Sequence, residues 1–231
     1  MNPTKILIIL VMISHYTIAG NIRISTFLLT HSTQLDINST SDDTLPSVKI
    51  CNQIWMLKNL DVSTYRTGDK IPQVTDSATW ASLTTGAWCW YKNDSVTYAT
   101  KYGRLYNWYA VNDPRGLAPE GWHVPSHKDW STLFICLGGP NNAAGKMKAI
   151  SSFRLDRNSF VTNSSGFTGL PGGKRKDDGV FKFNGYIANW WSSTETNSTN
   201  AELCILMYDE DIAITNSDIK ALGLSVRCVK D

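Results

Sequence analysis

The distribution of apolar and polar positions divides the chain near residue 45. Lys5 precedes an apolar run from Ile6 to Ile13, and the small residues Ala19 and Gly20 follow. That order of basic, apolar and small residues is the pattern of a secretory signal, so residues 1–20 are expected to be a signal peptide. The run is shorter than the roughly 20 apolar residues that span a bilayer, and no integral membrane span is expected in the mature chain. Residues 21–44 are polar, with Ser, Thr, Asn and Asp gathered at Asn38 to Thr44 and no sustained apolar period, which predicts a tether. One folded domain is expected over 45–231.

Within that domain Val48, Ile50, Trp55 and Leu57 flank the turn-like Asn52-Gln53 and predict an opening hairpin. Asp76 can cap a short helix carrying Trp80 and Leu83, and Trp88 to Tyr91 and Leu105 to Val111 read as aromatic-rich extended segments. The clearest signal is Ser126-His127-Lys128-Asp129. Ser126 can accept from first-turn amides while Asp129 reaches back, a capping box. Trp130, Leu133, Phe134 and Leu137 then form one apolar stripe that Gly138-Gly139-Pro140 ends. A second short helix is expected to hold Ala143, Ala144, Met147 and Ile150.

The C-terminal half reads as strands at Phe167 to Leu170, Val180 to Phe183, Ile187 to Ser192, Leu203 to Tyr208, Ile212 to Thr215 and Leu222 to Val229. Glycine- and Asp/Asn-rich turns separate them, Asn184-Gly185 among these. In the last strand Leu222, Leu224, Val226 and Cys228 alternate with Gly223, Ser225 and Arg227, predicting one buried face. The fold class is α+β, with a mainly antiparallel sheet.

Composition adds three constraints. At 231 residues, 42% hydrophobic and 18% charged, the chain suits one sizeable core. The formal charge is +2, and the basic run Lys174-Arg175-Lys176 is followed at once by Asp177-Asp178. No extended basic stripe exists to neutralise phosphates, so nucleic acid is not an expected partner. The five cysteines, Cys51, Cys89, Cys136, Cys204 and Cys228, lack zinc or redox spacing, and their odd number leaves at least one thiol unpaired or intermolecular.

Several stretches together resemble the Fibrobacter succinogenes major paralogous domain family. They are Gln53 to Met56 with Asn59-Leu60, Tyr102 to Val111, Pro119 to Ser126, Gly166-Phe167 with Leu170 to Gly173, Trp190 to Glu195, and Ser225 to Val229. The resemblance implies an exported bacterial protein with a C-type-lectin-like or sulfatase-modifying-factor-like fold, in which a looped, irregular sheet carries two short helices. It implies no enzymatic activity. The family usually has a cysteine where this chain has Ala118, so Cys228 must either pair elsewhere or remain a buried thiol.

After residue 44 the only histidines are His123 and His127. Pro125 disfavours one helix carrying both, so a turn-stabilising His123 and an exposed His127 are expected, with no metal and no cofactor. Nucleophile-elbow, phosphate-loop and dinucleotide motifs are absent from the sequence. Glu195, Glu202, Asp209, Glu210 and Asp211 could supply a glycosidase pair or simply occupy turns. The fold group implied by the resemblance includes formylglycine-generating oxidases with a cysteine pair near the C-terminal region, which raises Cys204 and Cys228 as candidates, but neither neighbourhood supplies the required constellation and Cys204 sits amid Leu203, Ile205 and Leu206 as a buried strand residue would.

Trp190, Trp191 and Glu195 form the best candidate for ligand binding, since indoles beside a carboxylate can hold a sugar ring or a side chain, and Arg175 and Tyr186 could rim the same surface. Adjacent strand residues face opposite ways, so at least one of the two indoles should be core. The expected function is a non-catalytic binding or adhesion module, secreted or on a bacterial cell surface, taking carbohydrate or a surface protein. The alternatives are a carboxylate-based surface glycosidase and a purely structural envelope component.

Overall fold

The computed structural model describes residues 45–153 and 161–231; the expected signal peptide and tether, residues 1–20 and 21–44, lie outside the described residues. In chain order the strands are β1 (Ser47–Ile50) and β2 (Gln53–Met56), then β3 (Trp88–Cys89), β4 (Leu105–Tyr106) and β5 (Trp122–His123). After them come β6 (Lys174–Arg175), β7 (Phe181–Lys182), β8 (Ile187–Glu195), β9 (Asn200–Met207), β10 (Ala213–Ile219) and β11 (Val229–Lys230). The helices are α1 (Ser77–Ala81), α2 (Ser95–Tyr102), α3 (Trp108–Val111), α4 (His127–Cys136) and α5 (Pro140–Met147). Strands pair as a four-stranded sheet β1-β2-β11-β5, a three-stranded sheet β10-β9-β8, and the pairs β3-β4 and β6-β7. All named strand pairings are antiparallel, so the class is α+β. No helix among the described residues is long and apolar enough to cross a membrane.

Short polar side chains set the helix starts. Asp76, Asp94 and Asn107 accept from the backbone N–H three residues on, at 2.7, 3.0 and 3.1 Å, opening α1, α2 and α3. At α4 both arms of the capping box form: the Asp129 carboxylate accepts from the Ser126 N–H at 2.8 Å, and the Ser126 hydroxyl faces the Asp129 N–H at 3.4 Å. Pro140 begins α5 as well as following α4, because the first helical N–H has no intrahelical acceptor to lose. Among the described residues five α-helices therefore stand where the resemblance implied two short helices, and Ile150 lies beyond α5 with 61% of its surface exposed.

Two aromatic cores flank β8. Trp190 packs with Trp55, Trp130 and Phe167 beneath α4 and α5, with the Phe167 and Trp190 ring centroids 5.4 Å apart. Trp191, pointing the other way, packs with Tyr106, Trp108, Leu224 and Val226. The segment Leu222 to Val229 departs from its expected alternation. Only Val229 belongs to a regular strand; Leu224 bridges Tyr106 and Ser225 bridges Trp190. Ser225 and Arg227 are as buried as Leu224 and Val226, because the segment passes between β4 and β8 and is covered on both sides. Phe167 to Leu170 likewise forms no strand, only a bridge from Gly169 to Lys148.

Cys51, in the β1–β2 turn, is disulfide-bonded to Cys136 at the end of α4, 85 residues away. Cys89, Cys204 and Cys228 are buried free thiols, so Cys228 takes the unpaired alternative. Burial raises Cys89 and Cys228 to about 12 and pushes Cys204 well up, leaving no thiolate for oxidation chemistry at neutral pH.

Candidate functional site

The five residues expected to form a binding face are not gathered on one surface. Trp190 and Trp191 have no exposed surface, and both indole N–H groups are used internally. Trp190 Nε1 donates to Asn59 Oδ1 at 2.8 Å and Trp191 Nε1 donates to the Tyr106 carbonyl at 2.8 Å. An indole without an exposed face cannot stack on a ligand, which removes this pair from the candidate surface. Arg175 is also fully buried and joins two segments. Its guanidinium donates to the carbonyls of Val74, Thr75, Asp76 and Gly179 at 2.6 to 3.1 Å and lies 4.4 Å from the Trp80 ring. Glu195 is exposed, and its carboxylate accepts from the buried ammonium of Lys220, which also donates to the Ser198 carbonyl at 2.9 Å.

Tyr186 is the expected residue that lines an open surface. With Phe183, Ile187, Met207, Tyr208 and Asp209 it walls a groove of about 350 Å³, within the range of ligand sites, about 300–1,000 Å³. The Tyr186 and Tyr208 rings stand perpendicular, centroids 5.3 Å apart, and the Tyr208 N–H donates to the Tyr186 carbonyl at 2.8 Å. Phe183, expected to end a strand, instead has φ of +67° and leaves 46% of its surface exposed. The left-handed region costs a bulky residue on the order of 1–3 kcal/mol and persists only where neighbours over-determine it. Here the Phe183 carbonyl accepts from both Tyr186 and Ile187 N–H at 3.0 Å, and the Gly185 N–H donates to Pro171 at 2.9 Å. The fold thus holds an aromatic ring outward at a conformational cost.

Away from the groove, both histidines of the described domain lie against carboxylates. His123 contacts Asp231 through Nδ1 at 2.7 Å and Asp129 through Nε2 at 3.4 Å, whereas His127 Nδ1 contacts Glu202 at 2.8 Å. The two imidazoles thus turn to different carboxylates, and no cluster of three metal-ligating side chains occurs among the described residues. Burial acts to raise the Asp129 carboxyl, and the bonds from Ser126 together with His123 outweigh it, leaving the group below its ordinary value.

At the centre of the fold lies Arg227, which has no exposed surface. Its guanidinium donates to Asn59 Oδ1 twice, at 3.1 and 2.8 Å, and to the carbonyls of Met56 and Phe167 at 3.1 and 2.7 Å. Desolvation lowers it to about 9, so it remains a cation at neutral pH. Asn59 Nδ2 donates to the Tyr102 carbonyl at 2.9 Å, so one amide ties the segment after β2 to α2, β8 and the chain before β11. The profile of the Fibrobacter succinogenes major domain matches residues 48–230. The chain belongs to that family. No curated protein and no solved structure matches it.

In this member of the Fibrobacter succinogenes major domain family, the motif residues Asn59, Phe167, Trp190 and Arg227 meet in the interior. They specify the core, and the groove lies apart from them. Sequence reasoning included Tyr186 but missed Phe183 and Tyr208. The usable signal was Asn184-Gly185 directly after an aromatic residue, a turn that can hold its preceding side chain outside a strand.

Proposed function

We propose that this chain is a non-catalytic binding or adhesion module, exported to the surface or surroundings of a bacterial cell. Its ligand, carbohydrate or protein, lays an apolar face against Phe183, Tyr186 and Tyr208. The observation that carries this reading is Phe183, exposed and held at +67° beside a perpendicular tyrosine pair. Strain retained in an outward-facing aromatic residue points to use of its ring. The family membership and the amino-terminal sequence pattern support export, and the short strands with long connections support a C-type-lectin-like arrangement.

The test is a glycan and protein array probed with the wild-type chain and with Phe183→Asn, a substitution that tolerates the same backbone. Saturable binding lost in the folded variant supports the reading; undiminished binding contradicts it. Turnover of a polysaccharide abolished by Glu195→Gln would replace the binding module with a glycosidase.

A further inference from the structure

Asp209 lines the aromatic groove, and Asp211, two residues along the same turn, lines a second cleft of about 440 Å³ on α5. Between them, the Glu210 carbonyl accepts a hydrogen bond from Lys148, a buried side chain whose ammonium fixes the middle of the turn.

The chemistry of this cleft differs from that of the groove. Asn141, Asn142 and Lys146 come from α5, Thr162 and Ser164 from the segment after it, and Asp211 from the β9–β10 turn. Two amides and two hydroxyls supply both donors and acceptors, and the lining carries one ammonium and one carboxylate, so neither sign of charge predominates. Part of this capacity is already used. Asn142 Nδ2 donates to the Gly138 carbonyl at 2.8 Å and Lys146 Nζ to the Leu137 carbonyl at 2.8 Å, while Thr162 Oγ1 faces Ser164 Oγ at 3.1 Å. Those bonds orient the side chains and leave the Asn142 carbonyl oxygen and the remaining ammonium protons available. Asn141 makes no side-chain hydrogen bond to another described residue and is exposed.

A ligand matched to such a wall carries many hydroxyls, each able to donate and accept, and no net charge. We propose that this cleft is a binding site for a neutral saccharide. The assignment rests on the chain being a binding module, but not on the aromatic groove being occupied.

The experiment is calorimetric titration of the full chain with neutral oligosaccharides, and separately with acidic ones, first selected on an immobilised array. Asn141→Leu and Ser164→Val, both at exposed positions, are compared with Phe183→Asn and the wild type. The expected result is saturable binding of a neutral saccharide, weakened about tenfold or more by each cleft variant, as loss of a ligand hydrogen bond beside an apolar replacement would do. Neutral-saccharide binding unaffected by both cleft variants overturns the proposal, and if Phe183→Asn removes it the groove reading stands alone. Binding lost in the cleft variants but kept in Phe183→Asn upholds the cleft and removes the groove. Absence of any neutral-saccharide binding, or a strict preference for acidic sugars lost in Lys146→Met, also overturns it.

Discussion

Replacing Asn59 with Ala should do more damage than its size suggests. The Asn59 carbonyl oxygen accepts from Trp190 Nε1 and from two guanidinium nitrogens of Arg227, and its amide donates to Tyr102. Truncation strands an indole N–H, a main-chain carbonyl and part of a buried cation. A neutral buried group left without a partner costs about 1–3 kcal/mol, and a stranded charge more, so a loss of about 4 kcal/mol is expected. For a domain of this length a Tm falls by about 3 °C per kcal/mol, giving a drop of about 12 °C.

Guanidinium chloride unfolding of Asn59→Ala, Arg227→Met and the double variant measures the coupling directly. The double variant should be more stable than the sum of the single losses implies by about 2 kcal/mol, because without Arg227 there is no cation to strand. A cost below about 1 kcal/mol for Asn59→Ala, or additive single effects, would refute this account of the core.

Three further outcomes follow from the same geometry. Cys136→Ser, which opens the 85-residue loop closed by Cys51, should cost about 4 kcal/mol in denaturant unfolding under oxidising conditions. Trp191→Ala should cost about 3–5 kcal/mol, read as a lower denaturation midpoint, since its ring is buried and its N–H is used. Asp113 is held down to about 2 chiefly by side-chain hydrogen bonds from Arg115, at 2.8 Å to each carboxylate oxygen. A carboxyl depressed on folding adds stability above its ordinary value of 3.8 and loses it as pH falls towards about 2, so Asp113→Asn should flatten the acid-unfolding curve within that window.

Local chemistry was legible in the sequence where one short motif determines one element. The Ser126–Asp129 capping box, the Asp76 cap and the β1–β2 hairpin each depend on residues a few positions apart, and each forms close to its expected place. Helix α2 escaped because its one aliphatic β-branched side chain points to solvent while a tyrosine supplies its core contact: Val96 is 94% exposed and Tyr102 is its only buried residue. Its start is marked by Asp94 and its end by Gly103, whose φ is +69° and where a β-carbon would meet the Leu60 carbonyl at 2.9 Å. The burial of Arg227 was illegible for a different reason. Alternation identifies the apolar face of a strand, but whether a second layer covers the polar face depends on β4 and β8, remote in sequence. The same limit applied to the binding face. A Trp-Trp-Ser-Ser-Thr-Glu run has the residues of a ligand platform, yet β8 lies between two layers and both indoles turn inward.

The central claim places the family's tryptophan motif in the core and the usable aromatic surface at the groove. Hydroxyl-radical footprinting of the full chain, read residue by residue by mass spectrometry, tests this without knowledge of the ligand. The account predicts ready modification of Phe183 and strong protection of Trp190 and Trp191, although indole is intrinsically the more reactive ring. Rapid modification of either tryptophan in the folded chain, with Phe183 protected, would contradict it.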